Sequence, residues 1–438
     1  MPRPLSTFSV AVLIAAAGLA CAGSQVHAQS LIVEPGDFAQ LQNRAQQEPW
    51  KAMAQRSIEL ANTLVFDPGE TQSRRAWQVG DIMHNSALAY IIEPDHRATH
   101  RQRIIDHMKY FRSGQTGSVH PTGGWGGTVP PGSALFHAII AADVISGDVN
   151  AAEKADIDAA LNDSASWFES NNTFWETNLH GVRMAWHLYE GDTARAQQDA
   201  DRYRAEFELQ TRPDGVYTPG SEYAYWRQGG QRSAKTWGAD LAHKAGLTDY
   251  YDDERYQNFQ EWFAGHSTTP AGQVWIFSDS GGRMLGIPGP LRRTTQVSEK
   301  ASAYLQFRIE TFGEDAIREQ EGLMPFVTQT EPLAPAQAPP SRVFEDGGAW
   351  MHQSRDFGPE AIAAVLWNPK FQEPGGHNHK DINTLNIAGF GETLLRNSGY
   401  AGWYSGAEGF SWDYIHNQAV SGNALLINDR NHDSRSGG

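Results

Sequence analysis

Two histidines two residues apart, His377 and His379, stand out in GGHNHKDINTLNIAGFGETLLRNSGY, which covers residues 375–400. In a strand, side chains at i and i+2 point to the same face, so these imidazoles could bind one metal ion. A third donor would complete a zinc site, and His416 in the later HNQAV segment is a candidate. The alternative is a polar turn in which the histidines bond to the backbone. The residues of this stretch leave both interpretations open.

A second polar group occurs in WETNLHGVRMAWHLYEG, where Asn178, His180 and Arg183 fall at a predicted helix start. Thr177 or Asn178 would act as the N-cap. A helix N-terminus that faces a cleft attracts anions, and an Asn beside a His could bind a carboxylate and take a proton. The alternative is an ordinary cap with a packed histidine. His187 is predicted to lie in the core.

Tyrosines form the third group, in RPDGVYTPGSEYAYWRQGGQR. Tyr217, Tyr223 and Tyr225 are separated by even numbers of residues, so they would share one face if the segment were extended. A phenol near Arg227 could have its pKa lowered enough to shuttle a proton. The alternative is aromatic packing in a loop.

Helices must position the second and third groups. From about residue 36 to 325, apolar residues recur at spacings of three and four, as in GSALFHAIIAADVI and AEKADIDAALNDSASWFES, which predicts amphipathic helices. Gly- and Pro-rich breaks such as TGGWGGTVPPG are predicted to be loops. A long succession of paired helices favours an (α/α) toroid over 29–330, in which inner and outer helices alternate. No fixed-period repeat is visible, which argues against a regular solenoid.

Strands are predicted after the proline-rich stretch EPLAPAQAPPS, residues 331–341, which cannot continue a helix and is predicted to be a linker. RVFEDGGAWMHQSRD, AIAAVLWNP and INTLNIAGFGETLLRNSG alternate and carry Gly or Asn turns, as antiparallel strands do. Residues 342–438 are therefore predicted to form an antiparallel β-sandwich domain. Because the pattern typical of strands continues to the end of the sequence, we expect that domain to be incomplete.

The amino terminus predicts export. Arg3, the apolar run VAVLIAAAGLACA and the small residues before position 29 form a signal peptide over 1–28. Lipidation at Cys21 is a minor alternative, since GLAC departs from a good lipoprotein box. The run is too short to span a bilayer. The expected location is periplasmic or extracellular, with no membrane span. A net charge of −16 argues against nucleic-acid binding.

The order of these segments resembles that of the heparinase II/III-like polysaccharide lyases, a group that includes heparin lyases and two-domain alginate lyases. The resemblance is carried by an all-α region with the N-x-H and DG-x-Y…Y segments, then by FEDGGAWMHQSRD and GGHNHKDINTLNIAGFGETLLRNSG. It implies an incomplete (α/α) toroid followed by an antiparallel β-sandwich, with the active site between them.

The resemblance also implies a reaction. A uronate linked through C4 would be cleaved by β-elimination, with Asn178 neutralising the carboxylate. His180 would be base or charge stabiliser, Tyr223 or Tyr225 base or acid, and His377 would reach in from the β domain. Substrate-binding roles are predicted for Arg183, Trp226, Arg227 and Arg232.

A structural zinc site is the last implication of the resemblance. It would use His379, an Asp at the end of the next strand and a later His, matched by His416. This sequence has Asn397 at the Asp position, and an amide is a poorer zinc ligand than a carboxylate. The expectation is therefore that no cofactor is required, with zinc at His379, Asn397 and His416 as the alternative.

The function predicted from the sequence is lysis of an anionic, uronate-containing polysaccharide. Alginate-like or glucuronan-like chains are favoured because sulfate recognition would demand a denser set of Arg and Lys. Two alternatives stay open: a glycoside hydrolase, for which Asp81, Glu176 and Glu222 are available carboxylates, and a non-catalytic polysaccharide-binding protein. The sequence gives no indication of the oligomeric state.

Overall fold

The structure is a computed structural model, and it describes residues 30–171, 176–228, 234–278, 280–282, 286–318, 320–352, 357–370 and 379–399, together with 419, 422–424, 426, 428 and 430. For 176–178 and 226–228 it describes the helical backbone but not the side chains. The predicted site residues Arg232, His377 and His416, and the predicted signal peptide, lie outside the described residues.

Helices dominate the chain as far as residue 328. In chain order the described residues form α1 (Phe38–Arg44), α2 (Trp50–Thr63), α3 (Gln72–Ile92), α4 (Arg97–Met108), α5 (Gly124–Val144), α6 (Ala151–Ser170), α7 (Glu176–Tyr189), α8 (Thr193–Gln210), α9 (Ser221–Gln228), α10 (Ala234–Lys244), α11 (Glu254–Gly265), α12 (Thr294–Val297), α13 (Glu299–Phe312) and α14 (Leu323–Thr328). Side-chain N-caps define several starts: Thr71, Asn150, Asp192, Asp253 and Ser298 each accept a hydrogen bond from the first turn that follows.

The helices form two layers, as predicted. Helices α3, α5, α7 and α10 pack side by side in that order, and α2, α4, α6 and α8 lie against their outer side. The inner helices are the more buried: every residue of 82–92 in α3 and of 134–142 in α5 is buried. This arrangement of alternating inner and outer helices is the helical toroid expected from the sequence.

The stretch TGGWGGTVPPG was predicted to be a loop, and this prediction was wrong. Helix α5 begins at Gly124 and continues through Pro130 and Pro131. A proline leaves the carbonyl four residues earlier without its helical donor. Here the Ser73 hydroxyl donates to the Gly126 carbonyl at 3.1 Å, and the Thr122 N–H donates to the Gly127 carbonyl at 2.9 Å. Because a hydroxyl on α3 and an N–H just before α5 satisfy these two carbonyls, the helix tolerates its prolines.

The strands lie mostly in the last part of the chain. They are β1 (Ile287–Pro288), β2 (Ile317–Arg318), β3 (Arg342–Phe344), β4 (Gly348–His352), β5 (Ala363–Trp367), β6 (Thr384–Gly389) and β7 (Glu392–Leu395). Strands β1 and β2 form a short parallel pair within the helical region. Strands β3 to β7 form an antiparallel sheet in chain order, in the segments that the sequence predicted.

One face of this sheet packs on the helical domain. Trp350, Val365 and Asn386 lie opposite one another on β4, β5 and β6, and all three are buried. The other face carries apolar side chains that stay partly exposed, among them Met351 and Ile387. The second sheet of the predicted sandwich is not found among the described residues.

The proline-rich segment 331–341 runs along helix α13. Ala334 donates its N–H to the Ser302 hydroxyl at 2.9 Å, and Gln337 donates to the Ala303 carbonyl at 3.1 Å. It connects α14 to β3. None of the helices in the described part of the chain is long and apolar enough to cross a membrane.

Candidate active site

The β-sheet sits at the end of the toroid where the chain passes from outer to inner helices. The Asp346 N–H donates to the Asp214 carboxylate at 2.7 Å, in the connection between α8 and α9. Phe277 stacks on Trp367 of β5, with ring centroids 4.1 Å apart. Asp214 lies in the loop that precedes α9, so the sheet contacts the toroid close to the start of α9.

His180 lies in the second turn of α7 and is held by a series of imidazole–carboxylate contacts. Its Nδ1 is 3.1 Å from Oδ1 of Asp199, on α8. The other Asp199 oxygen is 3.0 Å from Nδ1 of His187, whose Nε2 is 3.0 Å from the Glu169 carboxylate. Burial raises the pKa of Asp199, but the hydrogen bonds from His180 and His187 outweigh it and leave this pKa below its ordinary value.

The contact with Asp199 determines which ring nitrogen of His180 is basic. If Nδ1 donates its proton to Asp199, Nε2 is the basic nitrogen of the neutral ring. The tautomer is therefore set by the carboxylate. His187 was predicted to lie in the core, and it is 2% exposed. It nevertheless contacts the carboxylates of Asp199 and Glu169, so it is not only a packing residue.

Arg183, the predicted substrate-binding residue on the same helix, has other partners. Its Nε donates to the Phe168 carbonyl at 2.9 Å, and Nη2 donates to the Glu169 carbonyl at 3.0 Å. These carbonyls belong to the last turn of α6, which lacks helical donors. The guanidinium is 8% exposed, and its contacts do not support the predicted role in substrate binding. Asn178 lies in the first turn of α7, but its side chain is not described.

Residues 221–228 of the tyrosine segment are helical, so the tyrosines do not share one face as they would in an extended segment. Tyr223 and Tyr225 lie on α9, where residues two apart point in roughly opposite directions. Tyr223 is partly exposed, whereas Tyr225 is 5% exposed. Tyr217 precedes the helix and is buried, with its hydroxyl donating to Gln210 Oε1 at 2.8 Å. Trp226 and Arg227 follow on α9, with only their backbone described.

A short segment, of which residues 276–278 and 280–281 are described, lies between α9 and the β-sheet. The Glu222 N–H donates to the Ser280 hydroxyl at 3.0 Å, and the Gly281 N–H donates to the Glu222 carboxylate at 2.5 Å. On the other side, the Ser278 N–H donates to Asp381 Oδ2 at 2.5 Å. The segment, called here the bridging segment, therefore touches both the tyrosine helix and the residues next to His379.

Of the three predicted zinc ligands, His379 and Asn397 are among the described residues. His379 is 1% exposed, and Asn397 is 1% exposed. Asn397 Nδ2 donates to Asp381 Oδ2 at 2.8 Å, and its Oδ1 accepts the Gly399 N–H at 3.3 Å. Its Oδ1 also accepts from the Ser398 hydroxyl at 3.4 Å, so both lone pairs of this oxygen are used and Asn397 does not fit the role of a metal ligand. Among the described residues no group of three His, Cys, Asp or Glu could hold a metal ion.

Sequence reasoning missed two buried charges near the predicted site. Asp199 lies in the apolar stripe of α8 with Ala196, Ala200 and Tyr203, and Arg308 lies in the buried stripe of α13. The signal that could have found them is a charged residue at a position where helical spacing predicts an apolar one.

The comparisons with known proteins are limited to structure. No protein-family model matches the chain, and no curated protein matches its sequence. Heparinase III is similar in structure, with a TM-score of 0.50 and 14% identity over 84% of this chain and 57% of that one.

Two further solved structures are less similar. A mutant heparan sulfate lyase from Pedobacter heparinus gives a TM-score of 0.47 and 13% identity over 85% of this chain and 62% of that one. A chondroitin AC lyase from Streptomyces coelicolor gives 0.43 and 13%, over 84% and 59%. The assignment of fold therefore rests on heparinase III, of which the chain spans 57% of the length. The chain has the fold of heparinase III, a helical toroid followed by an antiparallel β domain.

Proposed function

We propose that the chain is the catalytic part of a polysaccharide lyase that cleaves a uronate-containing chain by β-elimination. The observation that carries the proposal is the set of contacts made by the described residues of the bridging segment, 276–278 and 280–281. It is hydrogen-bonded to Glu222 of the tyrosine helix on one side and to Asp381, beside His379, on the other. The helix that carries Tyr223 is thus linked through this segment to the β domain, and we place the cleft for a linear polymer at this junction.

The proposed reaction needs a base, an acid and a group that neutralises the uronate carboxylate. The base breaks the C5–H bond, the electron pair forms the C4–C5 double bond, and the C4–O bond breaks while the leaving oxygen takes a proton. Tyr223 is the accessible phenol on α9 for one proton transfer. His180, with Nε2 as its basic nitrogen, is the candidate for the other. Asn178 at the start of α7 is the candidate for hydrogen bonding to the carboxylate.

The proposed substrate is an alginate-like or glucuronan-like polymer. Sulfated chains demand clustered cations, yet three of the buried arginines already have protein partners. Arg183 binds the end of α6, Arg292 lies 2.9 Å from Glu314, and Arg293 lies 3.8 Å from Asp240. The elimination itself requires no cofactor. Export through the predicted signal peptide would bring the enzyme to polymers outside the cytoplasm.

The test is a panel of alginate, glucuronan, hyaluronan, chondroitin and heparin, followed by ultraviolet absorbance of the unsaturated product. We expect turnover on alginate or glucuronan, and loss of turnover in the Tyr223→Phe variant while its thermal unfolding stays unchanged. New reducing ends without the ultraviolet band would replace elimination by hydrolysis. A folded protein that is silent on every polymer would refute the enzymatic proposal and leave polysaccharide binding.

A further inference from the structure

A buried cluster of polar groups joins the end of β7 to the bridging segment. Asp381 Oδ2 accepts hydrogen bonds from the Ser278 N–H at 2.5 Å and from Asn397 Nδ2 at 2.8 Å. The Asn397 N–H donates to Asn386 Oδ1 at 2.8 Å, and Asn386 Nδ2 donates to the Ile276 carbonyl at 3.1 Å. Asp381, Asn386 and Asn397 are each no more than 1% exposed.

The bridging segment is strained at the point where Asp381 binds it. Ser278 has φ of 49°, in the left-handed region that residues with a Cβ rarely adopt. Such conformations persist when surrounding contacts determine them. Hydrogen bonds to a carboxylate are stronger than neutral ones, and this one acts at a fully buried serine. The Asp381 carboxylate is therefore placed to hold the segment in this conformation.

The strained segment is packed directly against the start of α9. A Cβ added to Gly220 would lie 2.6 Å from the Phe277 carbonyl oxygen. Glu222, in the first turn of α9, exchanges hydrogen bonds with Ser280 and Gly281. A shift of the segment would therefore move the helix that carries Tyr223.

We propose that the Asp381–Asn397 pair is a metal-free clamp that holds the bridging segment and thereby positions α9. The Asn397 NH₂ group, which donates to Asp381, has no lone pair for a metal ion, and its Oδ1 already accepts from the Gly399 N–H at 3.3 Å and the Ser398 hydroxyl at 3.4 Å. The clamp does not depend on the proposed lyase activity, so its test needs no substrate.

The first measurement concerns metal. The full chain, purified without chelator, should contain no stoichiometric zinc, and its thermal unfolding midpoint should be the same with EDTA, with added zinc or with neither. Zinc bound in a one-to-one ratio, together with a midpoint lowered by EDTA, would overturn the proposal.

The second measurement concerns the link to α9. Asn397→Leu should lower the unfolding midpoint by at least about 3 °C, and amide hydrogen exchange in 221–225 should accelerate by about tenfold. Asn423→Leu is the matched control, because Asn423 Nδ2 also donates to β6, to the Leu385 carbonyl at 3.2 Å, but does not bind Asp381. It should leave exchange in α9 unchanged. A lowered midpoint in Asn397→Leu with unchanged exchange in α9 would refute the positioning role.

Discussion

His180 Nδ1 lies 3.1 Å from Asp199 Oδ1, across the interface between an inner and an outer helix of the toroid. Asp199 is 3% exposed and also faces His187. One buried carboxylate thus orients two imidazoles, and the orientation of His180 depends on a residue that would not itself touch substrate. This makes Asp199 a positioning residue for the proposed reaction.

Asp199→Asn should destabilise the protein by about 1–3 kcal/mol, because the amide can accept from one imidazole but presents its NH₂ group to the other. Urea unfolding measures this loss. If His180 transfers a proton, kcat should also fall in the fraction of variant that stays folded. The matched control is Arg202→Gln: Arg202 lies 3.9 Å from Asp199 but is 59% exposed, and its replacement should change stability by less than about 1 kcal/mol.

Tyr223 and Tyr225 should respond differently to loss of their hydroxyls, since α9 points them in opposite directions. Tyr223→Phe is expected to lower kcat by about 10²-fold or more, as loss of a proton-transfer group does. Tyr225→Phe should change stability more than kcat, because Tyr225 is buried. Steady-state kinetics combined with thermal unfolding of both variants separates these outcomes, and the opposite pattern would exchange the two roles.

Much of the helical half could be predicted from the sequence, because burial follows the three-and-four spacing of apolar residues in helices such as α6 and α13. The start of α5 could not, since its prolines are tolerated through hydrogen bonds from Ser73, on α3, and from Thr122, just before α5, and these contacts exist only in the folded protein. The strands β3 to β7 could be predicted because one face of the sheet is buried, so buried and more exposed residues alternate along strands such as β5 and β6.

The site was harder to predict than the fold. The spacing of the tyrosines left the conformation of their segment open, and α9 is an eight-residue helix whose first turn is hydrogen-bonded to Ser280 and Gly281. The sequence of α9 does not predict these hydrogen bonds, because their partners lie far away along the chain. The pairing of His180 with Asp199 likewise depends on how α7 packs on α8. Only Asp199, a charged residue in the apolar stripe of α8, could have been recognised from the sequence alone.

His266 should make the junction between toroid and sheet sensitive to acid. It is 1% exposed, donates from Nε2 to the Pro340 carbonyl at 3.1 Å and packs against Trp350 and Phe344. Burial lowers the pKa of His266 to about 4. The unfolded chain, with an ordinary pKa of about 6.5, therefore binds more protons in this window. Stability is fully present above the unfolded pKa and falls by about 3 kcal/mol as pH drops toward the folded pKa.

The measurement is urea unfolding of wild type and His266→Phe across that pH window. The variant keeps an aromatic ring but cannot titrate, so its stability should fall less steeply with acid. At neutral pH it should be less stable than wild type by about 1 kcal/mol, because the bond to Pro340 is lost. Parallel curves for the two proteins would show that His266 does not control acid sensitivity.

We expect Arg308 to lower the free energy of unfolding, unlike the other buried arginines. It is 6% exposed and makes no hydrogen bond or ion pair with any residue that the structure describes. Burial lowers the pKa of Arg308 to about 10, opposed by the nearby Tyr225 oxygen. The cation is thus retained at neutral pH at a cost of up to about 3 kcal/mol.

Arg308→Met should therefore raise the free energy of unfolding, measured in urea. Arg293→Met, the control, should lower it, since Arg293 pairs with Asp240 and stacks over Trp237. If Arg308→Met also destabilises, bound water or another partner stabilises the guanidinium; if it stabilises the fold while reducing turnover, the charge is retained for function.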